Sequence, residues 1–120
     1  MKKQIEQVRE FESAFKINTD SQTAFTKFNL LLEELEEYVA AAKTNNDVEI
    51  ADAITDILYI AFGIVTKHNL DDKMEALFNE VHSSNMSKLG QDGTPIYRED
   101  GKVLKGPLYF KPNLKKILDS

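Results

Sequence analysis

Cysteine is absent from the 120 residues, and histidine occurs only at His68 and His82. Without cysteine there is no disulfide, no thiolate nucleophile and no Cys-ligated zinc or iron–sulfur site. Long apolar runs are missing too. The longest, Ile57–Val65, spans nine residues, whereas a membrane span needs about 20. The N-terminus, MKKQIEQVREF, carries charges where a signal peptide would need its apolar core, so a cytoplasmic location is the expectation. No broad basic face is evident, which argues against nucleic acid as a partner. The three prolines, with 42% hydrophobic and 29% charged residues, are what an ordinary globular domain contains. One domain over residues 1–120 is expected, with a helical core at about 2–89 and a tail at about 94–120.

What is abundant is negative charge, and it is concentrated. The net charge is −5. The stretch Glu33–Asp56, EELEEYVAAAKTNNDVEIADAITD, holds eight carboxylates (Glu33, Glu34, Glu36, Glu37, Asp47, Glu49, Asp52, Asp56) against one cation, Lys43. The tail compensates with Arg98, Lys102, Lys105, Lys111, Lys115 and Lys116. An acidic core with a basic tail suits a site that binds metal ions and then a small anion.

Helical periodicity organises the rest. Ile5, Val8, Phe11 and Phe15 form a stripe over residues 2–16, which predicts a first helix with one buried face. A second helix is expected from Ser21, capped by Asp20 or Ser21, to Lys43. Its packing face is Phe25, Phe28, Leu31, Leu32, Leu35, Val39 and Ala42. Thr44–Asn46 interrupts the pattern, and Asp47 is a good cap for a third helix running to His68. So short a connection makes the two helices antiparallel neighbours. The second half of the third helix is apolar all round, which implies burial on several sides and points to a subunit interface. A fourth helix over Asp72–Ser87 presents Met74, Leu77, Phe78 and Val81. Beyond Leu89, Gly90, Gly93 and Pro95 break helix. Asp100-Gly101 between Ile96–Arg98 and Lys102–Leu104 predicts a β-hairpin. Pro112–Leu118 predicts a closing helical turn or two. The fold class is therefore all-α, a four-helix core with a hairpin and short-helix tail, in a homo-oligomer.

The acids fall into opposed pairs. Residues three or four apart on a helix share a face, so Glu34 points with Glu37 and Glu49 with Asp52. Glu33 lies within reach of Glu37. Folding the helices about the turn brings the two pairs to similar heights, with Asp56 one turn further, near Glu33. Such a cluster must be protonated or neutralised by a cation. All-oxygen donors suit Mg²⁺ or Mn²⁺, and a carboxylate-bound Mg²⁺ that accepts phosphate oxygens suits phosphate-ester hydrolysis. A solvated acidic face is the competing reading. A di-iron site needs Glu-x-x-His on two helices. Val65 and Asn79 stand three residues before His68 and His82, which disfavours it.

Glu33-Glu34-Leu35-Glu36-Glu37 followed by Glu49-Ile50-Ala51-Asp52 resembles the EExxE…ExxD signature of the MazG-like all-α nucleoside triphosphate pyrophosphohydrolases. Phosphoribosyl-ATP pyrophosphohydrolases and dimeric dUTPases belong to the same superfamily. Asp52–Tyr59 is similar to the helix after the second motif. Asn85–Lys88, Asp100–Val103 and Tyr109–Pro112 resemble a bacterial and phage subgroup of small members. The resemblance implies Mg²⁺-dependent cleavage between the α and β phosphates of a nucleoside triphosphate, giving monophosphate and pyrophosphate. By position it makes Glu34, Glu37, Glu49 and Asp52 metal ligands. It makes Glu33 the group that orients or deprotonates water, or else an exposed helix acid. Asp56 would hold a water or a lysine. Asn85 and Lys88 would contact phosphate or base, and Lys102, Lys105 and Tyr109 would close over phosphates. The chain is short for a dimeric dUTPase and lacks the compact pattern expected for phosphoribosyl-ATP hydrolysis. Nucleotide-pool housecleaning is the preferred role, with phosphoribosyl-ATP hydrolysis and a non-catalytic interaction or nucleotide-sensing module as alternatives.

Overall fold

A computed structural model describes all residues, Met1–Ser120. Five helices form: α1 (Lys2–Ala14), α2 (Ala24–Lys43), α3 (Asp47–Lys67), α4 (Met74–Met86) and α5 (Leu114–Leu118). There is no sheet, so the all-α expectation holds. The chain divides into two compact units, Met1–Asp72 with α1–α3 and Lys73–Ser120 with α4 and α5.

In the first unit α3 packs against both α2 and α1. All three helices end alike. Lys16, Asn45 and Asn69 adopt positive φ of 53°, 52° and 55° just past the helix ends. The next residue then donates back to a carbonyl five positions earlier: Ile17 N to Glu12 O at 2.8 Å, Asn46 N to Ala41 O at 3.1 Å and Leu70 N to Val65 O at 3.1 Å. These are Schellman closures, which satisfy carbonyls the helix leaves free. The turn between α2 and α3 is therefore tight. Asn46, rather than Asp47, caps α3, its side chain accepting from Glu49 N at 3.1 Å. Helix α2 begins later than expected. Asn18 closes a turn on Asp20 N and Ser21 N, and Thr23 becomes the cap, accepting from Thr26 N at 3.1 Å.

Arg9 of α1 staples this unit. It donates Nε to Asp71 Oδ2 at 2.8 Å and Nη2 to Asp71 Oδ1 at 2.9 Å, and Nη2 also reaches Thr66 O at 2.9 Å. The forked geometry gives two parallel charge-assisted bonds.

The buried stripes differ from those the apolar pattern predicts. On α1 the buried residues are Ile5, Val8 and Glu12. Phe11 and Phe15 stay exposed, Phe11 lying edge-on to Tyr59 at 5.7 Å. On α2 the buried residues are Lys27 and Ala41, while Phe25, Phe28, Leu32, Leu35 and Val39 are exposed in the single chain. The face of α2 turned inward thus carries Lys27, Leu31, Glu34 and Ala41, spaced by three, four and seven.

In the second unit Ser84, fully buried, donates Oγ to Phe110 O at 2.8 Å. Glu80 accepts from Asn113 N, and Lys73 Nζ donates to the carbonyls of Ile117 and Leu118. The expected β-hairpin is not present. Tyr97 and Val103 form one isolated antiparallel bridge, closed by a turn with Gly101 at φ 88°. Pairing ends there because the chain leaves the ladder: Gly106 N donates to Lys88 O at 2.8 Å. A two-stranded ribbon with no third strand or helix against it is marginal, and both bridge residues are exposed.

Candidate active site

The inward stripe of α2 places Glu34 against α3. The residue is partly exposed, but its Oε2 is buried and has no hydrogen-bond partner. Desolvation, first, pushes its pKa up to about 7. The neighbouring Glu37 carboxyl adds to this, as do the charges of Asp56 and Asp52. Glu34 and Glu37 of α2 thus lie near Asp52 and Asp56 of α3, whereas the spacing pairs Asp52 with Glu49. Asp56 is partly buried.

The other expected residues are placed differently. Glu49 is exposed in the first turn of α3. Glu33 lines a separate shallow cleft along α2 with Thr26, Asn29, Leu30, Leu32 and Glu36. Asn85 and Lys88 stand at the end of α4 in the second unit, where Lys88 N donates to Asn85 O. Lys102 is exposed, its backbone N–H bonded to Asp100 Oδ1 at 3.1 Å. Lys105 Nζ lies 4.8 Å from the centre of the Tyr109 ring, a cation–π contact.

Residues 5–85 match the family model described as phosphoribosyl-ATP pyrophosphohydrolase. The chain belongs to this family. No curated protein matches it. Membership implies a pyrophosphohydrolase acting on nucleotides, in a family that works with divalent metal. The matched span runs from within α1 to within α4 and includes both acidic motifs. No helix is long and apolar enough to cross a membrane.

The donor chemistry fits such a cation. The Glu34, Glu37, Asp52 and Asp56 side chains supply only hard oxygens. A buried carboxylate oxygen without a partner, next to three like charges, is what a divalent ion would satisfy. No three of these side chains converge at ligating distance as the helices stand. The acids are gathered on facing helices rather than closed into a cage.

Sequence reasoning missed which face of α2 turns inward. The signal was available in Lys27 and Glu34, seven residues apart and hence on one stripe, but apolar weighting favours the Phe25–Val39 face.

Proposed function

We propose that this chain hydrolyses a nucleoside triphosphate between the α and β phosphates, yielding the monophosphate and pyrophosphate with Mg²⁺ as cofactor. Mn²⁺ is an alternative cation of the same hard-oxygen class. The observation that carries the reading is the orphaned, charge-crowded Glu34 oxygen between α2 and α3. Glu34, Glu37, Glu49 and Asp52 would hold the metal, which when bound neutralises phosphate charge and acidifies a water. Glu33, turned out of its cleft along α2, would take up the proton of the attacking water as the bond from the α phosphorus to the bridging oxygen breaks. Asp56 fixes the α3 side of the cluster. Phosphoribosyl-ATP is the second substrate reading, favoured by the family description itself. We also propose that the working form is a homo-oligomer. Leu32, Leu35, Val39, Ile54 and Leu58 stay exposed on α2 and α3 in the single chain, more large apolar side chains than a monomer usually leaves together.

The experiment is a pyrophosphate-release assay with Mg²⁺ over ribo- and deoxynucleoside triphosphates, modified nucleotides and phosphoribosyl-ATP. Release from one or more nucleoside triphosphates, lost in Glu37→Gln with helicity unchanged, supports the reading. No release from any substrate overturns it. Normal turnover in both Glu37→Gln and Glu49→Gln overturns the site assignment. Light scattering at micromolar concentration decides the oligomer, a monomer mass being the result against it.

A further inference from the structure

A second polar constellation lies inside the first unit, away from the carboxylates. A cavity of about 190 Å³ opens between α1, α2 and α3, walled by apolar and aromatic side chains that include Val8, Phe11, Ile17 and Tyr59. Three polar side chains enter it: Glu12, Gln22 and Lys27. Glu12 and Lys27 are each only 8% exposed. Glu12 Oε2 accepts from Thr66 Oγ1 at 2.9 Å, but its Oε1 is buried with no partner, as is Gln22 Oε1. The Lys27 ammonium joins none of the three ion pairs, Arg9–Asp71, Arg98–Asp100 and Lys115–Asp119. It rests against Gly63, where an added methyl would come within 3.2 Å of Nζ. Buried polar atoms left unpaired are costly, and here two such acceptors, Glu12 Oε1 and Gln22 Oε1, share one cavity with the Lys27 side chain.

The position relative to the acids is set by helical spacing. Lys27 precedes Glu34 by seven residues on α2, and Tyr59 and Gly63 follow Asp52 and Asp56 by seven on α3. Seven residues are two turns, so each pair shares a face about 10 Å apart along the groove. That is the reach of a nucleotide from its phosphates to its base.

We infer that this cavity is the base-binding subsite, and that Glu12, Gln22 and Lys27 set specificity for bases carrying a carbonyl oxygen beside an N–H. The inference rests on the nucleotide-hydrolase reading above and gives its substrate class. The ring lies among Phe11, Tyr59 and the aliphatic walls. Its N–H donates to Glu12 Oε1 or to the Gln22 amide oxygen, and the adjoining carbonyl accepts from Lys27 Nζ. Guanine, hypoxanthine and uracil present that pattern. Adenine has no carbonyl oxygen and leaves the lysine unpaired.

The test is calorimetry of the full chain with guanosine, uridine and adenosine in the absence of metal, alongside pyrophosphate release from the matching triphosphates with Mg²⁺. Guanosine and uridine should bind about tenfold more tightly than adenosine, the worth of one buried charge-assisted hydrogen bond. Lys27→Met, close in length but without the donor, should bring the ratio to about one. Gly63→Ala, whose methyl shifts the ammonium by about a few tenths of an ångström, should lower the ratio in the same direction by less. Equal binding of the three nucleosides, no binding, or a ratio unchanged in both variants overturns the subsite. Turnover without base selectivity leaves the hydrolase reading standing and this inference false. Selective nucleoside binding without turnover of any triphosphate does the reverse.

Discussion

Proton and metal should compete for the Glu34–Glu37 pair, and the competition can be measured. Burial and neighbouring charge raise Glu34 to about 7, well above an ordinary glutamate. The step belongs to the coupled pair rather than to one residue. The sign is fixed by linkage. A carboxyl whose folded pKa exceeds its unfolded value stabilises the fold below the unfolded pKa, and that stabilisation is lost as pH rises through about 7. Metal-free protein should therefore lose stability from this group as pH rises from about 4.5 to about 7 and level off above that, and Mg²⁺ should restore it most at the upper end. Binding the ion requires the carboxylate form. With a midpoint near 7, the pair holds about 0.9 proton at pH 6 and about 0.1 at pH 8. Apparent Mg²⁺ affinity should rise about tenfold between those values. Calorimetry in buffers of different ionisation enthalpy reads the released proton directly. Glu34→Gln should remove both the proton release and the fall in metal-free melting temperature. Flat Mg²⁺ affinity from pH 6 to 8, or a pH-dependent melting temperature that survives in Glu34→Gln, would refute the account.

Three further outcomes concern the scaffold. Arg9→Lys removes the fork on Asp71. Because both partners are partly exposed, the expected loss is about 1–2 kcal/mol, read by urea denaturation and reduced by high salt. Lys16→Gly relieves a left-handed residue in the α1 closure and should add about 0.5–1 kcal/mol in the same assay. Gly106→Ala forces a methyl into the backbone carbonyls of Lys88 and Leu89. It should cost about 1–3 kcal/mol, seen as faster amide exchange in α4 while α2 and α3 are unaffected.

How much of this was legible in the sequence depended on which residues carried the signal. The α2 pair Glu34/Glu37 was explicit in its spacing, and a three-residue break divides the helices; on α3 the spacing paired Glu49 with Asp52, whereas the charges beside Glu34 are those of Asp52 and Asp56. The Schellman closure at Lys16 was not, since nothing in a lysine announces positive φ as a glycine would. The hairpin was over-read for a related reason. Asp100-Gly101 does make the turn, but a ladder also needs a surface to pack on, and Gly106 is bonded elsewhere. The α2 face shows the deeper cause. Two stripes at helical spacing run along that helix, one of Phe and Leu, the other through Lys27, Leu31, Glu34 and Ala41. Hydrophobic periodicity selects the first, yet in the single chain the second turns inward. Polar residues at packing positions raise the cost of folding, so local pattern disagrees with fold where function has placed demands on the core. The residues hardest to read as core, Glu12, Lys27 and Glu34, are the ones with unsatisfied chemistry to offer a ligand.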